Sequence, residues 1–142
     1  MEIIERIVSG EPTASLTLPF ELRQKSRLLT QLDSGEKAAL FLPRGTVLRQ
    51  GDLLRSRCGQ VIEVRAAAET ISTAATTDPV LLARAAYHLG NRHIALEIAS
   101  GRLCYLHDPV LDELVQQLGL TVSIEQAPFE PEAGAYSGHH GH

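Results

Sequence analysis

Asp78-Pro79-Val80-Leu81-Leu82-Ala83-Arg84-Ala85-Ala86-Tyr87-His88-Leu89-Gly90-Asn91 reads as one helix with its punctuation attached. Asp78 offers a side-chain N-cap, and Pro79 suits the first helical position, where its missing N–H is no loss. Leu82, Ala85, Ala86 and Leu89 fall at i, i+3, i+4 and i+7 and form one apolar face, and Gly90-Asn91 supplies a C-terminal stop. Thr70-Ile71-Ser72-Thr73 precedes this helix as a weak strand. After it, Ile94, Leu96 and Ile98 alternate with Ala95, Glu97 and Ala99, turn at Ser100-Gly101, and return through Leu103 and Tyr105 as a hairpin. Asp108-Pro109 repeats the cap, and Leu111, Leu114, Val115 and Leu118 repeat the apolar stripe. Gly119 ends that second helix, and Leu120, Val122 and Ile124 make a last strand.

The resulting β-α-β-β-α-β order is that of ferredoxin-like domains, in which two helices cover one face of an antiparallel sheet. It spans residues 69–126. Upstream, residues 1–68 hold short apolar runs separated by turn residues, which favours strands. Leu16 and Leu18 alternate with Thr17 before Pro19, and Leu40-Phe41-Leu42 stops at Pro43-Arg44-Gly45. Val47-Leu48 then reaches the turn signal Gln50-Gly51-Asp52, and Val61-Ile62-Glu63-Val64 is a further strand candidate. The expected fold is α+β: a small N-terminal all-β domain, a ferredoxin-like βαββαβ domain, and a flexible C-terminal tail over 127–142, where proline, glycine and charge leave little to bury.

At 142 residues the chain has room for one domain or two small ones. Its hydrophobic share of 44% against 21% charged is too apolar for global disorder. The net charge is -4 and the thirteen Lys and Arg are scattered, so no basic stripe exists for a phosphate backbone and nucleic acid is not an expected partner. The N-terminus mixes apolar residues with Glu2, Glu5 and Arg6 and shows no signal-peptide core, and no apolar run approaches the roughly 20 residues of a membrane span. A cytoplasmic chain with no membrane partner is expected. Cys58 and Cys104 lack CxxC spacing and are expected as free thiols that pack rather than react.

The first 87 residues contain no histidine; all six, His88, His93, His107, His139, His140 and His142, follow. Neutral imidazole is a common ligand for nickel, zinc and copper, so the skew points to a metal function. His88 and His93 do not stand at the i, i+4 spacing that would let them chelate from one helical face. A two-fold axis that joins His93 to its copy in a second chain would instead double the ligands. The alternative for His93 is a polar residue entering a strand, and for His88 a helix-end residue whose charge suits the helix dipole. His139-His140 and His142 can fold around one ion from a flexible tail, or serve only as a solubilising end. His107, ahead of the Asp108 cap, either supports a second ligand set or merely precedes a helix. HExxH, GxSxG and Walker A patterns are all missing, and no nucleophile or general base is positioned, so the chain is not expected to be an enzyme.

Leu40-Phe41-Leu42-Pro43-Arg44-Gly45-Thr46-Val47-Leu48 with Gly51-Asp52, Tyr87-His88-Leu89-Gly90-Asn91-Arg92-His93, Leu106-His107-Asp108, and Ala127-Pro128-Phe129-Glu130-Pro131-Glu132-Ala133-Gly134-Ala135-Tyr136 together resemble the urease accessory protein UreE family. The likeness spans nearly the whole chain. It implies an N-terminal peptide-binding-like β domain joined to a ferredoxin-like metal-binding domain that forms a homodimer. It also implies a metallochaperone that delivers Ni(II) for assembly of the urease active site, with apo-urease and the other urease accessory proteins, including a GTPase, as partners. In the family motif the second histidine, a metal ligand at the dimer interface, falls on His93, and the histidine-bearing tail falls on His139, His140 and His142. His88 and His107 match further family histidines.

Two departures stand out. Some relatives carry His-Asp-His where this chain has His107-Asp108-Pro109, so an auxiliary site using that last histidine is absent, and a tail of three histidines is short for bulk nickel storage. Zn(II) or Cu(II) would compete at an imidazole site. Readings from other classes are a metal-buffering protein without a urease partner and a metal-dependent hydrolase; partner capture separates the first from delivery, and turnover by metal-loaded protein would be required for the second.

Overall fold

The computed structural model describes residues 1–134 and divides the chain into two compact units that meet between Ala67 and Ala68. In the first unit six strands and one helical turn follow one another: β1 (Glu2–Ile7), β2 (Ala14–Leu18), α1 (Phe20–Arg23), β3 (Arg27–Gln31), β4 (Lys37–Phe41), β5 (Leu53–Ser56) and β6 (Val61–Ala66). They form one sheet in the order β2-β6-β5-β1-β4-β3, in which β1–β4 and β2–β6 are parallel and the other pairs antiparallel. The period-two pattern explains the core: Leu16 and Leu18, then Ile62 and Val64, point inward from paired strands while Thr17 and Arg65 face out.

The expectation of an all-β module needs one correction, because α1 interrupts it. The Pro19 carbonyl accepts from the Leu22 and Arg23 amides at 3.1 and 3.0 Å, which winds the chain into a single turn straight after the proline. Arg23 is fully buried there, and its guanidinium donates to the Leu18 and Leu48 carbonyls, both at 3.1 Å. Val47-Leu48 lies outside any strand, yet Leu48 is a core residue held by that arginine. Cys58 also departs from expectation. It is exposed in the turn between β5 and β6, whereas Cys104 is buried; both are free thiols.

The second unit runs β7 (Ala68–Ala75), α2 (Pro79–Asn91), β8 (Glu97–Ala99), β9 (Arg102–Leu106), α3 (Pro109–Leu118) and β10 (Thr121–Pro128). Its sheet has the order β10-β7-β9-β8 with every neighbouring pair antiparallel. Asp78 caps α2 by accepting from the Val80 and Leu81 amides, and Asp108 caps α3 by accepting from Val110. Gly119 ends α3 in the left-handed region at φ 111°. Ala85 and Leu89 of α2 join Leu111 and Val115 of α3 in one cluster with Ala74, Leu103 and Tyr105, so both helices cover the same face of the sheet. Truncating Leu89 there removes a fully buried side chain, a loss of about 2–5 kcal/mol. The last strand is longer than the pattern suggested: Ala127 and Pro128 belong to β10, pairing with Glu69 and Ala68, and Phe129 and Pro131 beyond it are buried. The mixed α+β composition, the leading β-rich unit and the two capped helices agree with expectation. No helix among the described residues is long and apolar enough to cross a membrane.

Candidate metal centre

His93 sits in the turn that ends α2. The helix continues through Gly90 and Asn91, which the sequence pattern had marked as its stop, and the reversal falls three residues after Gly90. The His93 amide donates to the Gly90 carbonyl at 2.9 Å and the Ile94 amide to the Leu89 carbonyl at 3.1 Å. This pair of bonds satisfies the last helical carbonyls and requires the intervening residue to be left-handed, a position usually given to glycine. Here it is His93, at φ 59°, the one non-glycine residue with positive φ among those described. Holding a side chain in that region costs on the order of 1 kcal/mol. The strain is therefore tied to an exposed imidazole, which has no hydrogen-bond or ion-pair partner among the described residues.

His88 lies one turn earlier on α2, half-buried, with its ring edge-to-face against exposed Tyr87 at 5.4 Å between centroids. Its position in the last turn also suits a cation facing the helix dipole. His107 is held differently. Its amide donates to the Thr70 carbonyl, and its Nδ1 lies 3.0 Å from Ser72 Oγ and 3.1 Å from Asp112 Oδ2. Asp112 Oδ1 in turn accepts from the Tyr105 hydroxyl at 2.6 Å. Burial and the Asp112 carboxylate push the Tyr105 hydroxyl well above the usual phenol range, so it remains a donor. Sequence reading missed Asp112, Tyr105 and Ser72. A signal was present: Tyr105 occupies an inward strand position, and a buried phenol demands an acceptor.

His139, His140 and His142 lie outside the described residues. The run that leads to them turns back toward His93: the Glu130 amide donates to Glu97 Oε1 at 2.8 Å, and the Glu132 amide to the Leu96 carbonyl, three residues past His93, at 2.6 Å. Among the described residues no three His, Cys, Asp or Glu side chains come together to hold a metal, so His88, His93 and His107 do not form one site within a single chain. In the first unit, an open groove bordered by Met1, Glu2, Leu29, Thr30, Lys37 and Ala39 contains no histidine.

Comparison with known proteins agrees along the whole chain. Residues 1–67 match the family described as UreE urease accessory protein, N-terminal domain, and residues 60–142 match UreE urease accessory protein, C-terminal domain. A urease accessory protein UreE from Alkalilimnicola ehrlichii is 52% identical over 139 residues, covering 97% of this chain and 85% of the relative. One from an Enterobacter species is 51% identical over 137 residues, covering 95% and 90%, and one from Pseudomonas putida is 57% identical over 125 residues, covering 87% and 78%. These relatives are accessory proteins in urease maturation and not enzymes. With two domain matches in chain order and relatives above half identity over most of its length, the chain belongs to the UreE family of urease accessory proteins.

Proposed function

We propose that this chain is a cytoplasmic nickel metallochaperone, working as a homodimer in which the His93 imidazoles of two chains hold one Ni(II) as cargo. The observation that carries the reading is the left-handed, exposed His93. A glycine would close the same helix end with less strain, and strain kept at an imidazole with no structural partner points to a functional role. A single imidazole binds metal weakly. Two of them related by a two-fold axis leave further coordination positions open to the tail histidines His139, His140 and His142 or to water.

The return of residues 129–132 to Leu96 and Glu97 supports this division of labour, since it fastens the start of the tail three and four residues past His93. Weak outer ligands can be replaced stepwise by an incoming partner, which favours release over storage. The partners in this reading are apo-urease and the accessory proteins that mature it, including a GTPase. The ferredoxin-like second domain, 69–126, would carry the metal, and the β domain, 1–68, would offer a peptide-binding-like surface. His88 and His107 would act as secondary ligands.

Calorimetric titration of the full chain with Ni(II), with the mass of the same sample measured by light scattering, tests the reading. A dimeric mass and one tight ion per two chains, abolished by His93→Ala, are expected. Tight binding of one ion per chain by a monomer would overturn the shared site. Delivery is tested separately by whether the nickel-loaded protein activates apo-urease in the presence of its accessory proteins; failure there, with binding intact, would favour a metal buffer.

A further inference from the structure

The His107 cluster has a property that the metal reading leaves unused. We infer that Asp112 is a positioning residue for His107: it fixes the ring in its Nδ1–H tautomer and leaves Nε2 as the atom that meets nickel. This rests on the proposed membership of His107 in the ligand set and goes beyond it by naming which nitrogen ligates and what holds it.

The geometry makes the assignment. Nδ1 lies 3.1 Å from Asp112 Oδ2, and a carboxylate oxygen at that distance repels a ring-nitrogen lone pair and attracts an N–H, which favours the proton on Nδ1. Ser72 Oγ hydrogen-bonds the same nitrogen at 3.0 Å, and a hydroxyl can accept the Nδ1 proton as readily as it donates its own. Asp112 cannot swing away easily, because its other oxygen is committed to the Tyr105 hydroxyl at 2.6 Å, and Tyr105 is fully buried in the sheet face. Ser72 and Asp112 belong to β7 and α3, so a strand and a helix clamp one edge of the imidazole. The side chain of His107 is 29% exposed against 12% for Asp112, so solvent reaches the ring while the carboxylate is largely covered. Nε2 has no partner among the described residues. A neutral imidazole protonated at one nitrogen presents its lone pair at the other, and metal-ligating histidines are commonly fixed in this way by a carboxylate behind the ring.

Long-range proton–nitrogen correlation spectra of the metal-free, ¹⁵N-labelled full chain at mildly alkaline pH test this, with the His107 signals identified by their loss in His107→Ala. The wild type should show the Nδ1–H pattern, and Asp112→Asn should move His107 toward the Nε2–H form. Added Ni(II) should broaden the His107 signals, at a concentration raised roughly tenfold by Asp112→Asn. An Nε2–H pattern in the wild type, or an unchanged tautomer in a folded Asp112→Asn chain, overturns the inference. If Asp112→Asn fails to fold, Tyr105→Phe serves in its place: it frees one carboxylate oxygen, and the His107 tautomer should then become mixed. The expected tautomer with signals that nickel leaves sharp would instead remove His107 from the ligand set, a failure of the metal reading that is distinct from a wrong tautomer.

Discussion

The Glu132 amide donates to the Leu96 carbonyl at 2.6 Å, so the chain leaving the last strand of the second unit is fastened beside the turn that holds His93. His139 lies seven positions after Glu132, a reach of at most roughly 25 Å. If the tail supplies ligands as proposed, deleting Ser137 to His142 should lower the number or affinity of bound nickel ions while leaving the fold and the proposed dimer intact. Calorimetry with light scattering and circular dichroism on the truncated chain checks this. A large loss of secondary structure would contradict it.

The elements that proved legible in sequence were those fixed by local chemistry. Asp78-Pro79 and Asp108-Pro109 announce their helices because cap and first turn are neighbours in the chain, and both aspartates make the expected bonds. Gly119 likewise ends α3 where its pattern said. Gly90 misled because glycine tolerates a helix interior as well as its end; the left-handed position passed to His93, and only the Ile94–Leu89 bond reveals that. The tail boundary was misread for a different reason. Phe129 is a single apolar residue in a polar, proline-rich run, and its burial depends on contacts distant in sequence. Asp112 was hidden similarly, since its partners Tyr105 and His107 lie outside its own helix.

Nickel affinity should fall as pH drops below neutrality. The ligating imidazoles must be neutral, and a free histidine titrates near pH ~6.5, so protons compete with the metal on the acid side. Titrations at matched ionic strength from mildly alkaline to mildly acidic pH read this directly, and a flat profile would argue against histidine ligands.

Asp33 makes a separate prediction for the first unit. Its carboxylate accepts from the Ser15 hydroxyl at 2.6 Å, the Thr17 hydroxyl at 2.8 Å and the Thr17 amide at 3.1 Å. The Ser15 bond, with help from Thr17 and Arg65, outweighs partial desolvation and holds the carboxyl below its usual range. A depressed folded-state value means that the stabilisation is present above the ordinary carboxylate range and is lost as pH falls through the folded value. Asp33→Asn should thus destabilise the fold at neutral pH by on the order of 1 kcal/mol, reduced by solvent exposure. Denaturant unfolding of both proteins at neutral and strongly acidic pH should show the gap closing in acid; a gap independent of pH would assign the loss to packing.

His93 allows function and stability to be separated at one position. His93→Ala and His93→Gly both delete the imidazole, so under the proposed reading each should abolish nickel binding between two chains by removing two ligands at once. Their effects on folding should differ. At φ 59° alanine meets the same left-handed penalty as any residue with a Cβ, whereas glycine escapes it. Glycine also loosens the unfolded chain, which offsets part of the gain, so His93→Gly should exceed His93→Ala in unfolding free energy by roughly 1 kcal/mol. Wild type should fall at or below the glycine variant, the expected cost of holding a functional group in a strained turn. Urea unfolding of the three proteins in the absence of metal, followed by nickel titration of each, completes the comparison. A glycine variant that binds nickel with wild-type stoichiometry once Ser137 to His142 are also removed would place the metal elsewhere, and an alanine variant more stable than the glycine one would show that the turn is not strained.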